Sequence, residues 1–107
     1  MNNLKRIELL KGFLANDPEN SFTIFALALE HVNISEYKIA LGLFEDLQKS
    51  DPDYVGLYYH LGKLYETLDE EKLAIATYKK GLDVAQKEKD PLVIRELQDA
   101  LAEHEPE

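Results

Sequence analysis

The chain has 107 residues, with 12 Lys and Arg against 21 Asp and Glu, a formal net charge of −9, and it is 45% hydrophobic and 31% charged. These values fit one ordered domain over residues 1–107 rather than a disordered or collagen-like chain. No basic block is present to release counterions from nucleic acid or to hold an anionic membrane surface, and the absence of Cys excludes disulfides, a thiolate nucleophile and Cys-ligated metal.

The first predicted element is a helix carrying Leu4, Ile7, Leu10, Phe13 and Leu14 on one stripe. Lys5 and Arg6 lie near its start, but no apolar run follows before Asp17, so this segment does not read as a secretory leader. Asp17-Pro18 closes it. Phe22, Phe25, Leu29 and Val32, with Ala28 beside them, mark a second helix, and Tyr37, Ala40, Leu41, Phe44 and Leu47 a third. Asp51-Pro52 follows 34 residues after the first Asp-Pro pair. Tyr58, Leu61, Leu64, Tyr65 and Leu68 mark a fourth helix, and Leu73, Ala74, Tyr78, Leu82 and Ala85 a fifth. Asp90-Pro91 comes 39 residues after the second pair and opens a sixth helix with Val93, Leu97, Ala100 and Leu101. Asp is a good N-cap and Pro is tolerated in a first helical turn, so each pair can end one helix and start the next.

Shorter breaks, Asn33-Ile34-Ser35-Glu36 and Thr67-Leu68-Asp69-Glu70, make Ser35 and Asp69 the expected N-caps of helices three and five. Glu36, Glu70 and Glu71 then face positive helix starts. Connections this short make consecutive helices antiparallel neighbours. No segment alternates with period two for long enough to form a strand, and no apolar run is long enough to span a membrane. A cytoplasmic location is the expectation.

The spacing of punctuation and of small and large residues resembles the tetratricopeptide repeat family, whose helix–turn–helix unit is about 34 residues long. Residues 55–88 carry the signature best: Tyr58, Leu61-Gly62, Tyr65, Ala74 and Tyr78, with Gly81 at the next small position. Residues 21–54 are a weaker copy, with Ile24, Leu27, Ala28, Ala40, Phe44 and Pro52 in register, His31 in place of the Tyr, and Leu47 in place of the later small residue. In such a unit Gly62, Ala28, Ala40 and Ala74 let paired helices approach closely, while Phe44 and Tyr78 fill the gap between one unit and the next. Residues 1–20 look like the second half of an earlier unit, with Leu10, Phe13 and Pro18 in register and Arg6 where a small residue would be. Residues 89–107 begin out of register and look like a capping helix with an acidic tail, Arg95, Glu96, Asp99 and Glu103 facing water. The resemblance implies an all-α fold, an α-solenoid of antiparallel helix pairs wound into a right-handed superhelix.

It also implies a non-catalytic protein–protein interaction module that binds a peptide or partner helix in a concave groove. Carried over position by position, the groove takes Phe22, Phe25 and Leu29 from the first unit and Tyr59, Lys63 and Glu66 from the second, with Asn33 and His60 nearby. Some members clamp a C-terminal carboxylate with Lys, Asn and Arg. Here Phe25 and Leu29 replace the first-unit Lys and Asn, and His60 replaces a second-unit Asn, so that clamp is not expected. An apolar, nearly neutral groove with an acidic rim fits an apolar or basic segment. Aromatic stripes usually reach the core, so Phe22 and Phe25 are expected to lie at least half inside.

Two full units are fewer than the three an independent array usually needs, so the alternative reading is an assembly protein that self-associates as a homodimer. No residue set supports an enzyme, a cofactor or a metal. His31, His60 and His104 are scattered, and His31 reads as a packed, hydrogen-bonded histidine rather than a ligand. Glu70 and Glu71 suit a helix start, Lys79-Lys80 a solvated face, and Gly56 and Gly62 no phosphate loop. Most of the acidity is capping or solvating, crowding the last helix and tail at Glu96, Asp99, Glu103, Glu105 and Glu107.

Overall fold

Six helices follow one another in the computed structural model, which describes residues 2–104: α1 (Asn3–Asn16), α2 (Ser21–Asn33), α3 (Tyr37–Ser50), α4 (Gly56–Thr67), α5 (Glu71–Lys87) and α6 (Pro91–Ala102). There is no strand among the described residues, and none of these helices is long and apolar enough to cross a membrane. Glu105 and Glu107, the expected acidic tail, lie outside the described residues.

The three Asp-Pro pairs divide their roles. Asp17 and Asp51 are C-caps, their N–H groups donating to Phe13 O at 3.0 Å and Leu47 O at 2.8 Å. Asp90 is an N-cap that accepts from Val93 N at 3.2 Å, with Pro91 at the start of α6. The side-chain caps of α1 and α2 are Asn2 and Asn20, which accept from Lys5 N and Thr23 N.

Ser35 and Asp69 are not N-caps. They hold φ of 60° and 59°, as Lys89 holds 56°, and each sits just past the end of a helix. Beyond each, an N–H reaches back over the last turn: Glu36 N to His31 O at 2.9 Å, Glu70 N to Tyr65 O at 2.8 Å, Asp90 N to Ala85 O at 3.0 Å. This left-handed closure satisfies the orphan carbonyls and reverses the chain in three residues. The N-caps fall one position later, on Glu36 and Glu70, without a side-chain cap bond. The sequence places polar turn residues correctly, but a left-handed residue and an N-cap draw on the same short polar types.

The helices fall into two compact units that divide between Asp51 and Pro52. In the first, α2 packs on both α1 and α3. Ile24, Leu27, Ala28, Ala40, Phe44 and Leu47 form its core with Ile7 of α1. Phe44, fully buried, meets Phe25 edge to face, with centroids 6.3 Å apart. Ser21 Oγ donates to Asp51 Oδ2 at 2.6 Å, joining the start of α2 to the end of α3. His31 is packed as read, 5% exposed, with Nδ1 2.7 Å from Glu36 Oε1. Buried Glu30 takes Arg6 Nε at 3.0 Å and the Asn3 amide, which fixes α1 on α2.

The first stripe is only partly used. Ile7 is buried and Leu10 and Leu14 half-buried, while Leu4 and Phe13 are 66% and 58% exposed. The stripe is wider than its single partner helix in this unit can cover.

In the second unit α5 packs on α4 and α6, and α6 also touches α4. Leu57, Tyr58, Leu61, Leu64, Ala74, Tyr78, Ala85, Leu97, Ala100 and Leu101 make its core. A Cβ on Gly62 would overlap the Tyr78 ring, and one on Gly81 would overlap Tyr58 and press on Leu97. The Tyr78 ring therefore takes the space beside Gly62, and the Cβ stem of Tyr58 the space beside Gly81. Tyr78 thus fills space inside its own helix pair, as Phe44 does beside Phe25.

Candidate functional site

The second unit holds a polar concavity of about 160 Å³ between α4 and α6. Tyr59 and Lys63, one helical turn apart, form one wall. Glu96, Asp99, Ala100 and Glu103 form the other, on consecutive turns of α6. Small Ala100 leaves the space between them. Leu97 and Leu101, buried on the adjoining face, fix the rotation of α6 that turns the three carboxylates this way.

Lys63 Nζ stands 5.5 Å from the Tyr59 ring centroid, 3.5 Å from Glu66 Oε1 and 3.8 Å from Glu103 Oε2. Three carboxylates thus line the hollow against one ammonium. His60 is half-buried, edge-on to Tyr59 with centroids 5.3 Å apart. Burial holds its pKa below the ordinary value, with Glu96 opposing.

Glu66 is not among the residues that line the hollow. Its Oε2 accepts from Tyr78 Oη at 2.7 Å and lies 2.7 Å from His104 Nε2. Burial pushes its carboxyl up, but the His104 and Tyr78 hydrogen bonds and Lys63 outweigh this and leave it below the ordinary carboxylate range. Tyr78 is pushed strongly up, by burial first and by Glu66 second, so it stays a hydroxyl donor.

Along α2, the first-unit residues follow one stripe and differ in burial. Phe22 is 67% exposed, which corrects the expectation that it lies at least half inside; it is at the second position of α2, a turn before Phe25, the ring that meets Phe44. Phe25 is half-buried on Phe44, Leu29 is half-buried and Asn33 exposed. A larger hollow of about 540 Å³ lies on α1, lined by Asn2, Leu4, Lys5, Glu8 and Leu9. Among the described residues its lining comes from one helix and its cap, which makes it an open surface rather than a cleft.

Of the eight groove residues expected, the structure brings together Tyr59, Lys63, His60 and Glu66. The partners the sequence reading missed are Glu96, Asp99, Ala100, Glu103 and His104. The signal was present: 96, 99, 100 and 103 fall on one helical face beside Leu97. In sequence Glu96, Asp99 and Glu103 make only a polar face, and packing alone shows that a hollow beside Tyr59 lies against it. Among the described residues no group of three His, Cys, Asp or Glu side chains is placed to hold a metal ion.

No family model matches the sequence, and no curated protein matches it. Solved structures do. A crystal structure of a tetratricopeptide repeat domain protein from Salinibacter ruber is 51% identical, covering 78% of this chain and 93% of that one, with a TM-score of 0.76. A solution structure of a tetratricopeptide repeat domain protein from the same organism is 53% identical over 83% of this chain and 90% of that one, with a TM-score of 0.79. A solution structure of a Bordetella parapertussis protein matches at 27% identity over 91% and 84%, with a TM-score of 0.79. Helix pairs closed on glycine and aromatic signature residues, together with half of the sequence shared over nearly the whole length of the Salinibacter domains, place this chain in the tetratricopeptide repeat family.

Proposed function

We propose that the chain is a non-catalytic interaction module that holds a peptide or partner helix against α4 and α6. The observation that carries this reading is the concavity in which Tyr59 offers an aromatic face beside Glu96, Asp99 and Glu103. Repeat folds of this kind present such concave surfaces to extended partners. The carboxylate excess favours a basic segment, with its apolar side on Tyr59 and its charges toward α6. In this reading residues 21–54 and 55–88 are repeat units, with α2–α3 and α4–α5 as their helix pairs and residues 1–20 and 89–107 as flanking caps. Phe22, Phe25, Leu29 and Asn33 offer a more apolar surface on α2.

The test is a titration of isotope-labelled protein with a short amphipathic peptide of Lys and Leu, and with its counterpart carrying Glu for Lys. The first should shift the amides of Tyr59, Lys63 and Ala100 and lose affinity as salt is raised. Tyr59→Ala combined with Glu96→Lys should remove those shifts while helicity is kept. Equal binding of both peptides, or binding that ignores the double variant, overturns the site.

One observation favours the second reading, self-association: α1 leaves Leu4, Leu9 and Phe13 exposed within a few turns. Light scattering over a concentration series decides it; a monomer throughout removes homodimerisation.

A further inference from the structure

His104 follows α6 directly, its N–H donating to Leu101 O at 3.0 Å, and its side chain is only 13% exposed. The imidazole reaches two other helices. Nε2 lies 2.7 Å from Glu66 Oε2 on α4, and Nδ1 lies 3.0 Å from Glu71 Oε2 at the start of α5. Both ring nitrogens therefore face carboxylate oxygens at hydrogen-bonding distance. A neutral imidazole has one N–H and one lone pair, so it can satisfy only one of them and must aim the lone pair at the other. The imidazolium donates to both.

The Glu66 oxygens have other donors as well. Glu66 Oε2 takes the Tyr78 hydroxyl at 2.7 Å, and Glu66 Oε1 lies 3.5 Å from Lys63 Nζ. A carboxylate so surrounded by donors is the ionised form. The geometry is that of one positive ring between two negative carboxylates, and it joins all three helices of the second unit at one point.

We propose that His104 is a protonation-dependent latch that fastens the end of α6 to α4 and α5, and with it the Glu96–Glu103 wall of the concavity. The latch stands on this geometry; its bearing on binding rests on the reading of the concavity as a contact site.

The groups facing the ring can be named helix by helix. From α4 come the Glu66 carboxylate and, one carboxylate oxygen away, the Lys63 ammonium, which opposes a second positive charge. From α5 come Glu71 and the Tyr78 ring, its centroid 6.1 Å from the imidazole. Beside it in sequence is Glu103, which Lys63 reaches at 3.8 Å. Negative charge in contact outnumbers positive. The hydrogen bonds to Glu66 and then Glu71 accordingly hold the His104 pKa above its ordinary 6.5, with burial opposing. A raised folded-state pKa means that the latch is fully engaged below 6.5 and is lost as pH rises through the folded value. Each unit of elevation is a tenfold preference of the protonated ring for the docked over the released helix.

The experiment follows the His104 ring carbons of the full chain by NMR through a pH titration, alone and with no partner present. Amide exchange of α6, corrected for its intrinsic pH dependence, is read in parallel on wild type, His104→Gln and the double variant Glu66→Gln, Glu71→Gln. The wild-type ring should titrate above 6.5 and return to or below the ordinary value in the double variant. Exchange in α6 should rise several-fold across the wild-type midpoint and lose that step in His104→Gln. A wild-type ring titrating at or below 6.5 overturns the latch, and so does α6 protection that crosses the midpoint unchanged. These wild-type readouts stand even where a variant folds poorly. Loss of the peptide shifts with the latch intact would sink only the contact-site reading.

Discussion

The two units use the same parts with different tolerance, and their glycines show it most directly. Gly12 in α1 and Gly42 in α3 have nothing within 4 Å of where a Cβ would stand. Gly62 in α4 and Gly81 in α5 are covered by the rings or stems of Tyr78 and Tyr58. The outer helices differ in the same sense. α1 buries only Ile7, whereas α6 buries Leu97, Ala100 and Leu101 and ends in the His104 bridge. A signature residue acts through what faces it: glycine is required where an aromatic lies on it and is a helix-weakening residue elsewhere.

The largest break in this comparison should come from the outer helices. Leu97→Ala empties a fully buried site and should cost about 2–5 kcal/mol, whereas Leu9→Ala on half-exposed α1 should stay within about 0.5 kcal/mol. Urea unfolding read by circular dichroism separates the two, and equal losses would show that α1 is more deeply seated than its exposure indicates. The glycines come next. Gly62→Ala and Gly81→Ala should each destabilise by about 1–3 kcal/mol through overpacking. Gly12→Ala and Gly42→Ala should stabilise by up to about 1 kcal/mol, because their Cβ atoms meet nothing. The same sign in both pairs would break the contrast.

Unit-specific pH dependence is a smaller effect. Raised His104 loses its contribution as pH climbs through its folded value, and depressed Glu66 loses its own as pH falls through its folded value. The second unit should therefore be most stable between the two, with the alkaline limb missing in His104→Gln; thermal melts across pH measure this. The smallest effect sharpens the comparison by showing where the units agree. Ser35, Asp69 and Lys89 hold positive φ at equivalent helix ends, so replacement of each by Gly should stabilise by up to about 1 kcal/mol while Ala gives no such gain.

Much of this was legible from residue order. The small–large signature of residues 55–88 leads to the right family, but it does not pair Gly62 with Tyr78, which the structure joins in one close approach. Tyr59 and Lys63, named by the resemblance to the family, line the hollow between α4 and α6. Ser35 and Asp69 were misassigned by one position, since short polar residues serve both helix ends. Phe22 was misplaced because periodicity gives a face but not how far a neighbour extends along it. His104 showed no partner in sequence, for its two carboxylates lie 33 and 38 residues away.

By itself, the sequence determined the number of helices, their apolar faces and the repeat to which they belong. These follow from the 3.6-residue period and from side-chain size, both local properties. Tertiary structure alone decided which acidic residues of α6 line a hollow, which apolar residues of α1 stay outside, and that His104 sits between Glu66 and Glu71. Those depend on how far one helix reaches across another, a distance set by the residue on the facing helix rather than by the chain's own pattern.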